Sequence, residues 1–108
     1  MQAGEEVLDK LVCRTPVEIK NAEGLHMRPA MQFVDLASQF QSDIRVSNNE
    51  NEVDGKSIMQ MSMLAATCGT KLTIKAVGED AERAVEALRE LVEDKMFGEP
   101  PPKAAAKC

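Results

Sequence analysis

The spacing of hydrophobic residues changes period several times along this chain, from two to three or four and back, and this alternation excludes an all-helical or all-strand fold. Cys13, Thr15, Val17 and Ile19 alternate with Arg14, Pro16, Glu18 and Lys20, which predicts a half-buried strand. Pro16 cannot donate to a ladder on its own side, so that strand belongs at a sheet edge. The period then shifts. Ala30, Phe33, Val34, Ala37 and Phe40 recur at three- and four-residue steps, with Gln32, Asp35 and Gln39 opposite, as on an amphipathic helix whose first turn holds Pro29. Ile44 and Val46 mark a second strand, Asn48 to Asn51 a polar turn and Glu52 to Asp54 a third strand. Ser57 is placed to cap a helix over Ile58 to Ala66, and Leu72, Ile74 and Ala76 alternate in a fourth strand. A final helix capped by Asp80 carries Ala81, Ala84, Val85, Leu88, Leu91 and Val92 on its buried stripe. Glu82, Glu86, Arg89, Glu90 and Glu93 are left to water. The order is strand, helix, strand, strand, helix, strand, helix (βαββαβα), an α+β layer pair with no repeated unit.

With 108 residues the chain can build one core, expected over 11–98, but not a second domain. Residues 1–10 read as a polar extension. The stretch 99–108, rich in proline at its start and poor in large apolar groups, reads as a tail outside the core. A net charge of −5 and three phenylalanines as the only aromatic residues argue against a nucleic-acid surface. No apolar run approaches a membrane span, and the start does not resemble a signal peptide, so the cytoplasm is the expected location. Cys13, Cys68 and Cys108 are odd in number and lack paired metal-ligand spacing; reduced thiols are expected, with no metal site.

Chemistry concentrates in two stretches. In Gly24-Leu25-His26-Met27-Arg28-Pro29-Ala30-Met31 the single histidine of the chain stands where a helix begins. First-turn amides near Met27 and Arg28 and the helix dipole favour an anion beside His26, and phosphate suits such a place. A neutral imidazole is a competent nucleophile near pH 7, and the positive end of a helix favours that form. Arg28 adds donors that can fork onto phosphate oxygens. Against this stands the plainer reading of His26 as a loop residue or a local hydrogen-bond partner. The second stretch is Val53-Asp54-Gly55-Lys56-Ser57-Ile58-Met59. Met61, Leu64 and Ala65 are assigned to the core, leaving Ile58 and Met59 as surface apolar groups beside Ser57, while Met63 fits either side. From local sequence alone Ser57 is simply a cap. No glycine-rich phosphate loop or acidic metal cluster accompanies these stretches, so no nucleotide cofactor is expected.

Gly24-Leu25-His26-Met27-Arg28-Pro29-Ala30 resembles the active-site signature of the HPr family, the histidine-containing phosphocarriers of the bacterial phosphoenolpyruvate:sugar phosphotransferase system. Lys56-Ser57-Ile58-Met59 resembles the regulatory serine segment of the same family at the expected separation, and the likeness runs from about Val12 to Phe97. The resemblance implies an open-faced β-sandwich, a four-stranded antiparallel sheet with three helices on one side. It further implies that His26 accepts a phosphoryl group on Nδ1 from phospho-Enzyme I and passes it to IIA domains of sugar permeases, with Arg28 contacting that group. Ser57 matches the serine modified by an HPr kinase/phosphorylase in bacteria that possess one, and Met27, Ile58 and Met59 match the partner-docking rim. The protein so read is a monomeric carrier, not a free-standing catalyst, and needs no cofactor. Two departures stand out: Met27 occupies a position where alanine is common, and Asp35 with the acidic balance of the chain replaces basic groups shown by other members. Two other readings stay open. One is a regulatory paralogue serving nitrogen or carbon signalling; the other is an α+β domain that binds an anion at His26 without covalent transfer.

Overall fold

A computed structural model describes residues 11–21, 24–64 and 66–98. The expected extension over 1–10 and tail over 99–108 lie outside the described residues. The elements follow the expected order: β1 (Val12–Glu18), α1 (Met27–Ala37), β2 (Asp43–Ser47), β3 (Glu52–Asp54), α2 (Ile58–Met63), β4 (Lys71–Val77) and α3 (Ala81–Arg89). A π-helical turn over Glu90–Asp94 and a 3₁₀ turn over Met96–Gly98 complete them.

The four strands form one antiparallel sheet in the order β1-β4-β2-β3. Pro16 therefore lies on an edge strand, where the missing amide leaves no ladder bond broken. Register brings like with like. Ile74 of β4 stands opposite Thr15 of β1 and Val46 of β2, and Val46 stands opposite Val53 of β3. Because side chains alternate across a strand, this puts one set of residues under the helices and leaves Arg14, Lys75, Arg45 and Asp54 aligned on the open face. Ile44, Val46, Ile74, Ala76, Phe33, Met61, Leu88 and Val92 form the centre of the core, each at most 2% exposed. One folded layer pair, an open-faced α+β sandwich, accounts for the whole described region.

Several expectations need correction. The second helix stops at Met63 rather than running to Ala66; only six residues long, it depends on packing and its cap rather than on length. Phe40 is half-buried against the core but beyond the end of α1, and Ile19 is fully buried just beyond β1. Asp80 precedes α3 without capping it through its side chain. Its carboxylate instead accepts the amides of Gln41 and Ser42, at 2.8 and 3.0 Å, and the Ser42 hydroxyl, fastening the loop between α1 and β2. These bonds, the Ser42 hydroxyl first among them, hold the Asp80 carboxyl below its ordinary range.

At the other end of α3, Glu93 does not simply face water. Its Oε2 accepts the amide of Glu18 at 2.8 Å, so the turn after α3 satisfies the end of the edge strand. There the ladder widens, Lys95 donating to the Glu90 carbonyl across five residues, while Val92 stays buried. Phe97, with φ 57°, is held in the left-handed region by burial of its ring. Cys13 is free and half-buried, but Cys68 is disulfide-bonded, against the reduced thiols expected for it. Sulfur pairing depends on which cysteines the fold brings together, and spacing in a sequence does not encode that. Cys108 lies outside the described residues.

Candidate functional site

The backbone leading into His26 is set before the helix begins. Gly24 adopts φ +76°, a conformation that a side chain disfavours, and a Cβ there would lie 2.6 Å from the Ala66 carbonyl oxygen. That close approach lets Leu25 donate its amide to the same carbonyl at 2.8 Å. Asn21, fully buried, donates through Nδ2 to the Gly24 carbonyl at 2.7 Å. Leu25 itself is buried, so the next residue emerges from an anchored turn.

His26 is that residue. It occupies the N-cap position of α1 in extended backbone (φ −80°, ψ −177°), and its carbonyl accepts the first intrahelical bond, from Ala30 at 2.9 Å. The imidazole is solvent-exposed and makes no cap bond to its own helix. Capping chemistry therefore does not occupy it. Pro29, the third helical residue, is buried and has no amide to offer, so Met27 and Arg28 supply the first-turn donors beside His26. Arg28 is exposed and enters no ion pair among the described residues.

Ser57 caps α2 as expected: its hydroxyl accepts the Gln60 amide at 3.3 Å, and its carbonyl accepts that of Met61 at 2.9 Å. The turn before it is tightly held. Asp54 Oδ1 accepts the Lys56 amide at 3.0 Å, Gln60 Oε1 accepts the Asp54 amide at 2.9 Å, and Gly55 donates to the Ile44 carbonyl at 2.8 Å. Lys56 donates Nζ to the Phe40 carbonyl at 2.7 Å, linking this turn to the segment after α1. The helices α1 and α2 also pack on each other.

The apolar groups around these residues divide unevenly. Met27 and Met59 are exposed, at 57% and 76%, as expected. Ile58 is half-buried against the core rather than a surface group, because the first turn of α2 faces inward at that position. Met61 and Leu64 are buried as expected, and Met63 proves exposed. Met31, one turn beyond Met27, is exposed and was not singled out by sequence. Neither were Asn21 and Lys56, although the Asn-x-x-Gly spacing from Asn21 to Gly24 is a turn signal that points to the first.

Residues 13–94 match the family described as PTS HPr component phosphorylation site. Over 83 residues the chain is 43% identical to the phosphocarrier protein HPr of Neisseria meningitidis, covering 77% of this chain and 92% of that one. HPr-C-His from Thermoanaerobacter tengcongensis superimposes with a TM-score of 0.78 at 41% identity, covering 82% and 98% of the two chains. Crh, described as the Bacillus subtilis catabolite repression HPr, superimposes with a TM-score of 0.59 at 38% identity, covering 76% and 98%. With a matching family signature over most of its length, relatives at this identity and the same open-faced fold, the chain belongs to the HPr family of phosphocarrier proteins of the phosphotransferase system.

Proposed function

We propose that His26 carries a phosphoryl group from phospho-Enzyme I to IIA domains of sugar permeases in the cytoplasm. The Nδ1 lone pair of the imidazole forms a bond to phosphorus as the bond between phosphorus and the donor protein breaks, and the reverse exchange delivers the group to the acceptor. Met27 and Arg28 amides and the Arg28 guanidinium hold the equatorial oxygens, which carry the charge during transfer. The observation that carries this reading is an exposed imidazole at the N-cap of α1 that makes no cap bond, with an exposed guanidinium two residues on that enters no ion pair among the described residues. Incubation with phosphoenolpyruvate and the cognate Enzyme I is expected to label the wild type on an acid-labile, base-stable phosphohistidine and to leave His26→Ala unlabelled. Equal labelling of both would sink the proposal, and saturable binding of a metabolite without covalent label would favour the non-covalent anion domain.

Ser57 acts as a brake where an HPr kinase/phosphorylase is present. A phosphoserine brings about −1.5 to −2 charges, which a helix N-terminus accepts but an approaching phosphoryl group and an apolar docking rim do not. Met27, Met59 and the exposed edge of Ile58 form that rim. The similarity to a protein described as a catabolite repression HPr favours a second reading, in which the same chemistry serves regulation. Identifying the IIA-type proteins that receive phosphate from His26 separates the two.

A further inference from the structure

Among the described residues, every large hydrophobic side chain left exposed is a methionine: Met27, Met31, Met59 and Met63, at 57, 51, 76 and 76%. They come as two pairs four residues apart, so each pair shares one face of its helix, and the two helices, α1 and α2, pack on each other. Met27 directly follows His26, and Met59 stands two residues after Ser57. Met61, between Met59 and Met63 in sequence, is fully buried. Leucine would supply the same apolar area. What a thioether adds is flexibility and a reaction: a two-electron oxidation that turns an apolar group into a polar, chiral one.

We propose that these four methionines are a modification site for hydroperoxides, and that their conversion to sulfoxides closes the docking rim and reversibly shuts down transfer through His26. A sulfur lone pair attacks one peroxide oxygen, the O–O bond breaks, and the sulfur–oxygen bond forms. Sulfur is oxidised by two electrons, and the other oxygen, reduced, leaves as water or alcohol after taking up a proton. Exposure sets which sulfurs react, so the four surface thioethers oxidise while Met61 is shielded. The resulting sulfoxides would have to be desolvated wherever a partner makes dry contact, which weakens docking without touching His26 or Arg28. Methionine sulfoxide reductases reverse the change. The effect on transfer rests on the proposed carrier function; the selectivity of oxidation does not.

The test treats the full chain with hydrogen peroxide, maps sulfoxides by peptide mass spectrometry and measures Enzyme I-dependent phosphorylation before and after. The expected result is sulfoxide at Met27, Met31, Met59 and Met63 at least tenfold faster than at Met61, with a fall of tenfold or more in transfer that methionine sulfoxide reductases restore. A chain with Met27→Leu, Met31→Leu, Met59→Leu and Met63→Leu, compared with its own untreated rate, should lose less than twofold, and because it keeps Cys13 it also controls for thiol oxidation. Oxidation of Met61 as fast as the four, undiminished transfer by the fully oxidised wild type, or equal losses in the leucine chain would each overturn the proposal. Failure of the carrier reading would appear differently, as no transfer by the untreated wild type.

Discussion

The Lys56 ammonium reaches the main-chain carbonyl of Phe40 across 2.7 Å and so joins the end of α1 to the turn that presents Ser57. Two elements separated by a β-hairpin, the end of α1 and the turn that leads into α2, are thereby fixed to each other. Phe40 lies past the last turn of α1, where carbonyls lack intrahelical partners, and a cation is favourable at that end of a helix dipole. Replacing Lys56 with methionine keeps the stem and removes the donor. The expected cost is about 1–2 kcal/mol, the range for hydrogen bonds to charged groups reduced by partial solvent access. Urea denaturation of Lys56→Met checks it, and an unchanged midpoint would show that water replaces the bond.

Gly24 is expected to be the least tolerant position in the site loop. Alanine there meets the Ala66 carbonyl oxygen at 2.6 Å and must also adopt φ +76°. Strain and overpacking together should cost Gly24→Ala about 2–4 kcal/mol. Because Leu25 and Ala66 must move apart to relieve the clash, phosphorylation of His26 should slow as well. Denaturation midpoints and single-turnover labelling measure the two effects.

Met61 and Met63 offer a contrast within one helix. Met61→Ala leaves a cavity at a fully buried position and is expected to cost about 2–5 kcal/mol. Met63→Ala, at 76% exposure, should change stability by less than about 0.5 kcal/mol. Similar losses for both would mean that α2 is not oriented as described.

Ser57→Ala removes the oxygen that accepts the Gln60 amide and is expected to cost about 1 kcal/mol. Ser57→Asp keeps a capping acceptor and adds charge, so it should retain stability while transferring phosphate through His26 more slowly. A wild-type transfer rate for Ser57→Asp would count against the brake.

The Asp80 carboxyl gives stability a pH dependence of known sign. Its folded-state value lies below the unfolded one, so its contribution is complete above the ordinary carboxylate range and disappears as pH falls through the lowered value. The gap in urea midpoint between wild type and Asp80→Asn should thus be widest near neutrality and narrow on acidification. A gap independent of pH would show that the loop contacts of Gln41 and Ser42 do not need the charge.

The order of elements, the edge position of the Pro16 strand, the cap at Ser57 and the placing of His26 at a helix start are all legible in local sequence. Each follows from neighbours within a few residues: a two- or four-residue period, a proline without an amide, a hydroxyl ahead of an apolar run. The remaining features come from long-range packing. Asp80 and Glu93 read locally as a cap and a solvated face, but a loop and a strand end distant in sequence bring the amides of Ser42 and Glu18 to them. Ile58 turned inward and Met63 outward because the core beneath α2, not the local pattern, selects the buried face. Likewise Gly24 is required by the Ala66 carbonyl, 42 positions along the chain. Contacts at such separation depend on register and packing, and local patterns carry no record of which distant group will fill a given bond or cavity.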